Sequence, residues 1–234
     1  MRERSDNFKI NFFEKFFYII DSFHIKRIIN YLKLLEINTV IDVGAHKGEF
    51  LSYVLKIKNI YCFEPQIEIN QVLVKNYNKI KKIKIFNFAL DKIISKKYIY
   101  INKLTSTSSL QTFNKKSLYL KFKNFLLGGK LNYVKKYKVT TNTIDNIFKN
   151  INLSKCLLKI DTEGYEINVL KGSQKTIDNK IKYILIENQL NNQHKKLSKA
   201  DIFDYLKNSN FKILKKFTHP TLSFQDILLK KLIN

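Results

Sequence analysis

Residues 40–48 read Val-Ile-Asp-Val-Gly-Ala-His-Lys-Gly, an apolar run that ends in an acid and a glycine turn. A short run of this composition is typical of a parallel strand that is buried on both faces. Gly44 permits close approach of the backbone to a ligand, and a helix that begins at the turn offers free N–H groups. The stretch therefore predicts a strand after Asn38, a turn over residues 44–48 and a helix to about Lys56.

Three further apolar runs also end in acidic residues. One ends at Glu64, one at Asp161 with Glu163 two residues later, and one at Glu187. In an open α/β sheet, ligands bind just beyond the carboxyl ends of the strands. A row of carboxylates there predicts a ligand with hydroxyls, an amine or a positive charge, and S-adenosylmethionine (SAM) has all three.

Strand and helix patterns alternate along the 234 residues and predict one α/β domain with a mainly parallel sheet. Residues 1–36 form an N-terminal helical extension in this interpretation, and residues 37–234 form the single domain. After the glycine turn, the predicted elements are a strand ending at Glu64, a helix over 67–77, a strand over 83–88, a strand over 98–101, a helix over 144–149, a strand over 156–160, a helix over 166–171, a strand over 182–186, a helix over 198–208, and strands over 211–217 and 224–232 that close as an antiparallel hairpin.

The N-terminal segment, residues 8–35, has helical periodicity. Phe12, Phe16, Ile19 and Phe23 recur at helical spacing. The simplest interpretation is a helix packed on the edge of the sheet, and contact with a membrane surface or a dimer partner stays open.

Residues 95–140 are less regular than the rest of the chain. They contain a hydroxyl-rich run at 105–109 and the double glycine Gly128-Gly129. Long irregular segments inside compact domains tend to be functional. We expect this insertion and the loop after Glu187 to shape the pocket of the second substrate.

The chain is strongly basic, with a formal net charge of +24. Nearly all of the cations are lysines, and only Arg2, Arg4 and Arg27 offer the bidentate fork that recognises phosphate and guanine well. The scattered lysine pairs are typical of solvated faces. Nucleic acid is therefore disfavoured as a partner, and weak binding to an anionic surface stays open.

The two cysteines, Cys62 and Cys156, lie inside predicted strands and are expected to be buried thiols. No apolar stretch approaches the ~20 residues that span a bilayer. Acidic residues interrupt the N-terminal apolar part, so no secretory leader is expected. A cytoplasmic location follows as the default.

The glycine turn has the form Asp42-x-Gly44-x-x-x-Gly48, which departs from the dinucleotide fingerprint G-x-G-x-x-G. This looser cradle suits a ligand without a pyrophosphate. Glu64 follows Asp42 by 22 residues and ends the neighbouring strand, the place for an acid that bonds both ribose hydroxyls. Asn87, at the end of the third strand, could meet an adenine ring.

Residues 159–172 read Lys-Ile-Asp-Thr-Glu-Gly-Tyr-Glu-Ile-Asn-Val-Leu-Lys-Gly. With this segment, the chain resembles the FkbM-type methyltransferases, a branch of the SAM-dependent class I enzymes. The glycine turn, the Phe-Glu-Pro at 63–65, the Asn-Phe-Ala-Leu at 87–90 and the hydroxyl-rich run match in order. The resemblance covers residues 38–187, and it implies a Rossmann-like fold with a seven-stranded sheet.

The resemblance also implies roles for individual residues. The methionine part of SAM would lie at the turn from Asp42 through Gly44 and His46 to Gly48, where asparagine is more usual than His46. The ribose would lie at Glu64. The adenine would lie near Asn87, Ala89 and Leu90, and Asp161 and Glu163 would flank the methionine end and the acceptor. The family implies transfer to an oxygen of a small molecule or of a sugar in a surface glycan.

Methyl transfer to a hydroxyl is helped by a base or a metal near the oxygen. Strand-end position makes Asp161, Glu163 and Glu187 candidates for the base, and His194 and His219 follow nearby strand ends. Two carboxylates at 161 and 163 are too few to predict a divalent cation, so no metal ligand is assigned.

Three alternatives remain. A nucleic-acid amino-methyltransferase would carry an Asp/Asn-Pro-Pro-Tyr/Phe motif, and the only prolines are Pro65 and Pro220. The glycine spacing disfavours a Rossmann dehydrogenase. A catalytically silent fold, kept as a basic scaffold or surface-binding module, is the alternative from another class.

Overall fold

The computed structural model describes residues 2–112, 121, 124–125, 133–190 and 199–232. His194 and the predicted Gly128-Gly129 pair lie outside these residues. In chain order the described helices are α1 (Arg2–Leu32), α2 (Ile67–Tyr77), α3 (Ile144–Phe148), α4 (Glu166–Lys171), α5 (Gln174–Lys180) and α6 (Lys199–Asn208). The described strands are β1 (Thr39–Val43), β2 (Asn59–Phe63), β3 (Ile83–Phe86), β4 (Ala89–Leu90), β5 (Ser95–Asn102), β6 (Tyr133–Asn142), β7 (Cys156–Ile160), β8 (Ile181–Gln189), β9 (Phe211–Thr218) and β10 (Phe224–Lys231).

The main sheet of the described residues has seven strands in the order β3-β2-β1-β7-β8-β10-β9. The strands from β3 to β8 pair in parallel, and β10 pairs antiparallel with both β8 and β9. This arrangement confirms the predicted Rossmann-like sheet with its closing hairpin. The order reverses beside β1, where β2 and β7 flank it, and ligands bind at such switch points.

Helices cover both faces of the sheet and bury two apolar clusters. On one face, Val40 of β1 packs with Leu73 of α2 and with Ile28 of α1. On the other face, Ile41 of β1 packs in a cluster that also contains residues of α3, α4, α5 and α6. Because both faces are covered, β1 and β7 are buried along their whole length, which explains their continuous apolar sequence.

Helix α1 differs from its predicted packing. Ile19 and Phe23, on the face expected to be buried, are exposed. Among the α1 side chains that the structure describes, Ile28, Ile29 and Leu32 of the last turns are buried in the core. The phenylalanine spacing thus identified the helix, but Ile19 and Phe23 do not pack as predicted, and the side chains of Phe12 and Phe16 lie outside the described part. Within the described residues, none of the helices combines the length and the apolar character needed to cross a bilayer.

A second sheet of three strands, in the order β4-β6-β5, was not predicted. The third strand ends at Phe86 rather than residue 88, and Ala89 pairs with Thr141 of β6 instead. The sequence of β6 mixes three lysines with tyrosine, valine and threonine without a regular period, and much of the strand is exposed, so its pattern resembles a solvated loop. This sheet carries the hydroxyl-rich run toward the main sheet.

One helix prediction was also wrong, and one helix was missed. The residues after the glycine turn form only a short 3-10 helix, Leu51–Tyr53, in place of a helix to Lys56. Helix α5 was not predicted, because its polar sequence has too few apolar residues to show periodicity. The two cysteines are free and buried in strands as predicted, and burial raises the pKa of both thiols.

Candidate active site

A cavity of about 1070 Å³ lies at the carboxyl ends of β1, β2, β7 and β8. Its wall includes the glycine turn, the residues after β2 and β7, the run at 105–109 and the middle of α1. Carboxylates line it from several strands, although the chain as a whole is basic. An acidic cavity in a basic chain suits a ligand that carries positive charge.

The glycine turn is fixed by close contacts to the neighbouring strand ends. Gly44 has a φ of +80°, and its N–H donates to the carbonyl of Phe63 at 3.0 Å. A Cβ at this position would lie 1.8 Å from the carbonyl oxygen of Asp161. Gly44 is therefore required by the approach of the β1 turn to the end of β7.

His46 occupies the middle of this turn with a φ of +46°. Asparagine, aspartate and histidine are enriched in this left-handed region, which explains how histidine replaces the more usual asparagine. Its Nδ1 lies 3.0 Å from Glu49 Oε1, and its Nε2 lies 2.9 Å from Thr105 Oγ1. The histidine ties the turn to the hydroxyl-rich run.

Glu64 stands directly after β2 and faces the turn. Its Oε2 accepts from the backbone N–H of His46 at 3.0 Å, and its Oε1 accepts from the N–H of Gln66 at 2.8 Å. Burial raises the pKa of this carboxyl, and the two backbone donors oppose that shift. The nearby Gln66 Oε1 is buried with no partner among the described residues, so one hydrogen-bond acceptor at this corner is unsatisfied.

Asn87 stabilises the same corner from outside the cavity. Its side-chain amide donates to the carbonyl of Glu64 at 2.9 Å, and it does not belong to the residues that line the cavity. The adjacent Phe88, Ala89 and Leu90 do line it and offer an apolar wall.

A buried lysine links β1 to β7. Lys159 Nζ lies 3.2 Å from Asp42 Oδ1 and donates to Asp161 Oδ2 at 3.3 Å. Burial raises the pKa of Asp42, and Lys159 opposes that rise. Burial opposes the charge on Lys159, but the two carboxylates outweigh it and raise the pKa of the lysine. Asp42 is fully buried and does not line the cavity, so it acts on the site through Lys159.

Glu166 holds the turn that follows β7. Its Oε1 accepts from the N–H of Thr162 at 3.1 Å, from the hydroxyl of Thr162 at 3.1 Å and from the N–H of Gly164 at 3.0 Å. The turn needs such support because Glu163 has a φ of +52° and Gly164 a φ of +90°. Burial raises the pKa of Glu166, and the backbone donors oppose the rise.

We expect Glu166→Ala to loosen this turn. Three hydrogen bonds to one carboxylate are lost, so the free energy of unfolding should fall by about 2–3 kcal/mol. Urea unfolding followed by circular dichroism measures the loss. Glu68→Ala is the control, because Glu68 is an exposed carboxylate at the start of α2. Equal stability of the two variants would contradict this role.

Acidic residues also gather at the carboxyl end of β8. Gln189 Nε2 lies 3.2 Å from Glu187 Oε1 and 3.3 Å from Glu163 Oε2 and donates to both. Asp226 of β10 pairs with Glu187 across the strands. Burial, followed by the charges of Asp161 and Glu163, raises the pKa of Glu187 well above its usual range.

Hydrogen bonds hold the hydroxyl-rich run, residues 105–109, at both of its ends. Gln66 Nε2 donates to the carbonyl of Thr105 at 3.1 Å, and Ser109 Oγ donates to the carbonyl of Thr162 at 3.0 Å. Ser106, Thr107 and Ser108 lie between these anchors and line the cavity. The run therefore forms part of the wall between the glycine turn and the end of β7.

Two histidines close the wall at the hairpin. His24 Nε2 lies 2.8 Å from Asp226 Oδ2, and both residues line the cavity. His219 Nε2 lies 3.0 Å from Asp21 Oδ1, and its Nδ1 lies 2.7 Å from Thr221 Oγ1. These contacts join α1 to the hairpin.

The structure brings most of the sequence-predicted residues to one cavity. Those that line it are Gly44, His46, Glu64, Ala89, Leu90, Asp161, Glu163, Glu187 and His219. Asp42, Gly48 and Asn87 support it from behind, and His194 is outside the described residues. Sequence analysis missed Lys159, Glu166, His24 and Asp226. An acid at 226 interrupts an apolar strand and was a usable signal, but nothing local linked it to residue 24. Among the residues that the structure describes, no three histidine, cysteine or acidic side chains are grouped as a metal site.

Comparison with known proteins gives relatives for this arrangement. A family model described as the methyltransferase FkbM domain matches residues 42–213. No curated protein matches the sequence. A methyltransferase FkbM from Methylobacillus flagellatus KT is similar in structure, with a TM-score of 0.51 and 16% identity. That similarity covers 85% of this chain and 45% of the other, so this chain spans less than half the length of that protein.

Two further solved structures share the fold. Magnesium protoporphyrin IX methyltransferase from Synechocystis PCC 6803, with bound SAM, gives a TM-score of 0.55 at 8% identity, over 95% of this chain and 85% of that chain. A protein of the NADB-Rossmann superfamily from Streptococcus agalactiae gives 0.50 at 11% identity, over 90% and 69%. At such identities the likeness shows the fold alone. The family model, however, spans most of the chain, and the chain belongs to the FkbM methyltransferase domain family.

Proposed function

We propose that the protein is a SAM-dependent methyltransferase that acts on oxygen. The observation that carries the proposal is the corner between β1 and β2. There the Glu64 carboxylate accepts a hydrogen bond from the glycine turn in the wall of a cavity of about 1070 Å³. Family membership supports the same activity. The Synechocystis PCC 6803 structure with bound SAM is only 8% identical in sequence and adds no more than the architecture.

The residues present fit SAM part by part. Glu64 and the unpartnered Gln66 Oε1 are acceptors for ribose hydroxyls. Phe88, Ala89 and Leu90 offer an apolar wall for adenine. The turn at Gly44 and the carboxylate of Asp161 surround the place for the methionine end, where the positive charge of the ligand is attracted by the acids.

When bound, SAM supplies a methyl group on a positively charged sulfur. The chain contributes position, because an in-line displacement gains most of its acceleration from alignment of the reacting atoms. Lys159 and Glu166 fix the end of β7, so Asp161 and Glu163 keep one geometry. The run at 105–109 forms part of the cavity wall. Glu187 also lines the cavity, and burial with the charges of Asp161 and Glu163 raises the pKa of its carboxyl.

Glu64→Gln should weaken SAM binding by about 10- to 100-fold, because a hydrogen bond to a charged partner contributes ~1.5–3 kcal/mol. Isothermal titration calorimetry measures the change. Glu68→Gln is the matched control, since Glu68 is an exposed carboxylate nearby that pairs with Lys135. Unchanged SAM affinity in Glu64→Gln would contradict the proposal that Glu64 binds the ribose.

The acceptor is proposed as a small molecule or a sugar of a surface glycan. The test is transfer of a radiolabelled methyl group from SAM to a panel of methyl glycosides and simple alcohols, with mass spectrometry to locate the new ether. Labelled glycoside supports the proposal. Transfer to RNA or DNA, with none to glycosides, would favour the nucleic-acid alternative.

The alternative from another class is a catalytically silent scaffold that binds anionic surfaces through its lysines. A scaffold should gain no stability from SAM, whereas a SAM-binding enzyme should gain about 2.7 kcal/mol at ~100 times the dissociation constant. The cytoplasmic location expected from the sequence stays a prediction that cell fractionation tests.

A further inference from the structure

The three described histidines at the cavity differ in how their ring nitrogens are used. His46 contacts Glu49 and Thr105, one through each nitrogen. His219 contacts Thr221 and Asp21, again one through each nitrogen. Only one nitrogen of His24 is engaged within the described residues, because its Nδ1 is buried without a partner. A buried acceptor without a partner is costly, so it points to a group that the ligand supplies.

The surroundings of His24 hold its ring in one orientation. Its Nε2 lies 2.8 Å from Asp226 Oδ2. The ring packs edge-on against His219 at 5.0 Å and against Phe224 at 5.6 Å. The residue is 2% exposed, and it belongs to the cavity wall. A carboxylate at Nε2 favours the tautomer that carries its proton there and leaves a lone pair on Nδ1.

The position in the sheet places this pair at the acceptor end. Asp226 lies opposite Glu187 in the β8–β10 register, and Glu187 lies near the carboxyl end of β8, the strand next to β7 in the sheet. The cofactor corner at Glu64 lies on the other side of β1. His24 and Asp226 thus flank the space that remains for a second substrate.

Building on the proposed function, we infer that His24 is the general base of the transfer and that Asp226 is the residue that positions it. The acceptor hydroxyl gives its proton to Nδ1 of His24 while its oxygen forms the bond to the methyl carbon. The electron pair of the broken carbon–sulfur bond stays on sulfur, which loses its positive charge. The products are a methyl ether, the neutral thioether and an imidazolium that Asp226 stabilises.

Competing strand-end groups are otherwise engaged. Asp161 accepts from Lys159, and Glu187 accepts from Gln189. His24 contacts Asp226 and His219 directly. Asp21 contacts His219, and the charges of Asp161 and Lys159 act on Asp226, which in turn acts on Glu187. Burial raises the pKa of Asp226, whereas its hydrogen bond with His24 lowers it.

A tautomer measurement tests the inference without any acceptor. The protein is labelled with ¹⁵N-histidine, and long-range ¹H–¹⁵N spectra are recorded across pH. The His24 signals are those that His24→Gln removes from the set of four histidines. We expect a neutral form with its proton on Nε2 and a bare Nδ1, and Asp226→Asn should change this tautomer. A proton on Nδ1 in the neutral wild-type form would overturn the inference.

A kinetic measurement uses a glycoside that the wild-type protein methylates. His24→Gln should reduce transfer by at least about 100-fold and remove the acid limb of the pH–rate profile, as expected for loss of a general base. SAM affinity should stay near wild type, and circular dichroism checks that the variant is folded. Lys26→Gln, an exposed neighbour on α1, is the control. Absence of SAM binding by the wild-type protein would refute the proposed function. Normal transfer by His24→Gln would refute only the role of His24 as the general base.

Discussion

Replacing Gly44 with alanine should destroy the cofactor corner and lower the free energy of unfolding by about 2–5 kcal/mol. The left-handed φ of +80° costs a side chain ~1–2 kcal/mol, and overpacking adds ~1–3 kcal/mol. The obstruction is a backbone atom, since the new Cβ would lie 1.8 Å from the carbonyl oxygen of Asp161. That carbonyl belongs to a residue whose own N–H donates to Val43, so β1 and β7 must separate.

Gly48→Ala is the matched control for this prediction. Gly48 has a similar φ of +90°, but its new Cβ would meet the ends of the Tyr77 and Leu73 side chains. Side-chain ends can move, so we expect only the strain of about 1–2 kcal/mol. Chemical unfolding and SAM titration of both variants provide the comparison. If Gly44→Ala is no less stable than Gly48→Ala, the close approach of the turn to Asp161 does not contribute to the loss of stability.

Replacing Lys159 with methionine should lower the free energy of unfolding by about 3–5 kcal/mol near neutral pH, because it leaves a buried carboxylate without its partner. Asp42 is fully buried, and Lys159 is the cation that faces it at 3.2 Å. In the double variant Asp42→Asn/Lys159→Met, both charges are absent, and most of the lost stability should return. Equal instability of the single and double variants would contradict this account.

The loss of stability in Lys159→Met should depend on pH in a defined direction. Burial raises the pKa of Asp42, and Lys159 opposes the rise, so its removal raises the pKa further. The folded variant then retains a proton that the unfolded chain releases at the ordinary aspartate value. Its stability deficit relative to wild type should therefore grow as the pH increases from about 4 to about 8. A deficit that shrinks over this range would show that Asp42 is not the cause.

The parts of the fold that sequence predicted well are those buried on all sides. Strand β7 was predicted to the residue, because burial of every position gives an unbroken apolar run. Helix α2 was also predicted to the residue, since Pro65 separates it from β2 and its apolar face is periodic. Strand β6 was missed, because an exposed strand rich in lysine lacks both signals.

The site shows the same division. Carboxylates at strand ends are local features, so Glu64, Asp161 and Glu187 could be found from the order of residues alone. The pairing of His24 with Asp226 joins positions 202 residues apart, and no local pattern encodes it. Lys159 was visible within the family segment, but its role depends on the register of β1 against β7, which only the sheet reveals.

Calorimetric titration of the purified protein with SAM, and separately with NAD, tests the central claim most directly. The account predicts saturable binding of SAM to a single site, loss of affinity in Glu64→Gln, and no binding of NAD to the looser glycine turn. Binding of NAD without SAM would contradict the account and identify the cavity as a dinucleotide site. No heat and no thermal shift with SAM would equally contradict it and favour the silent scaffold.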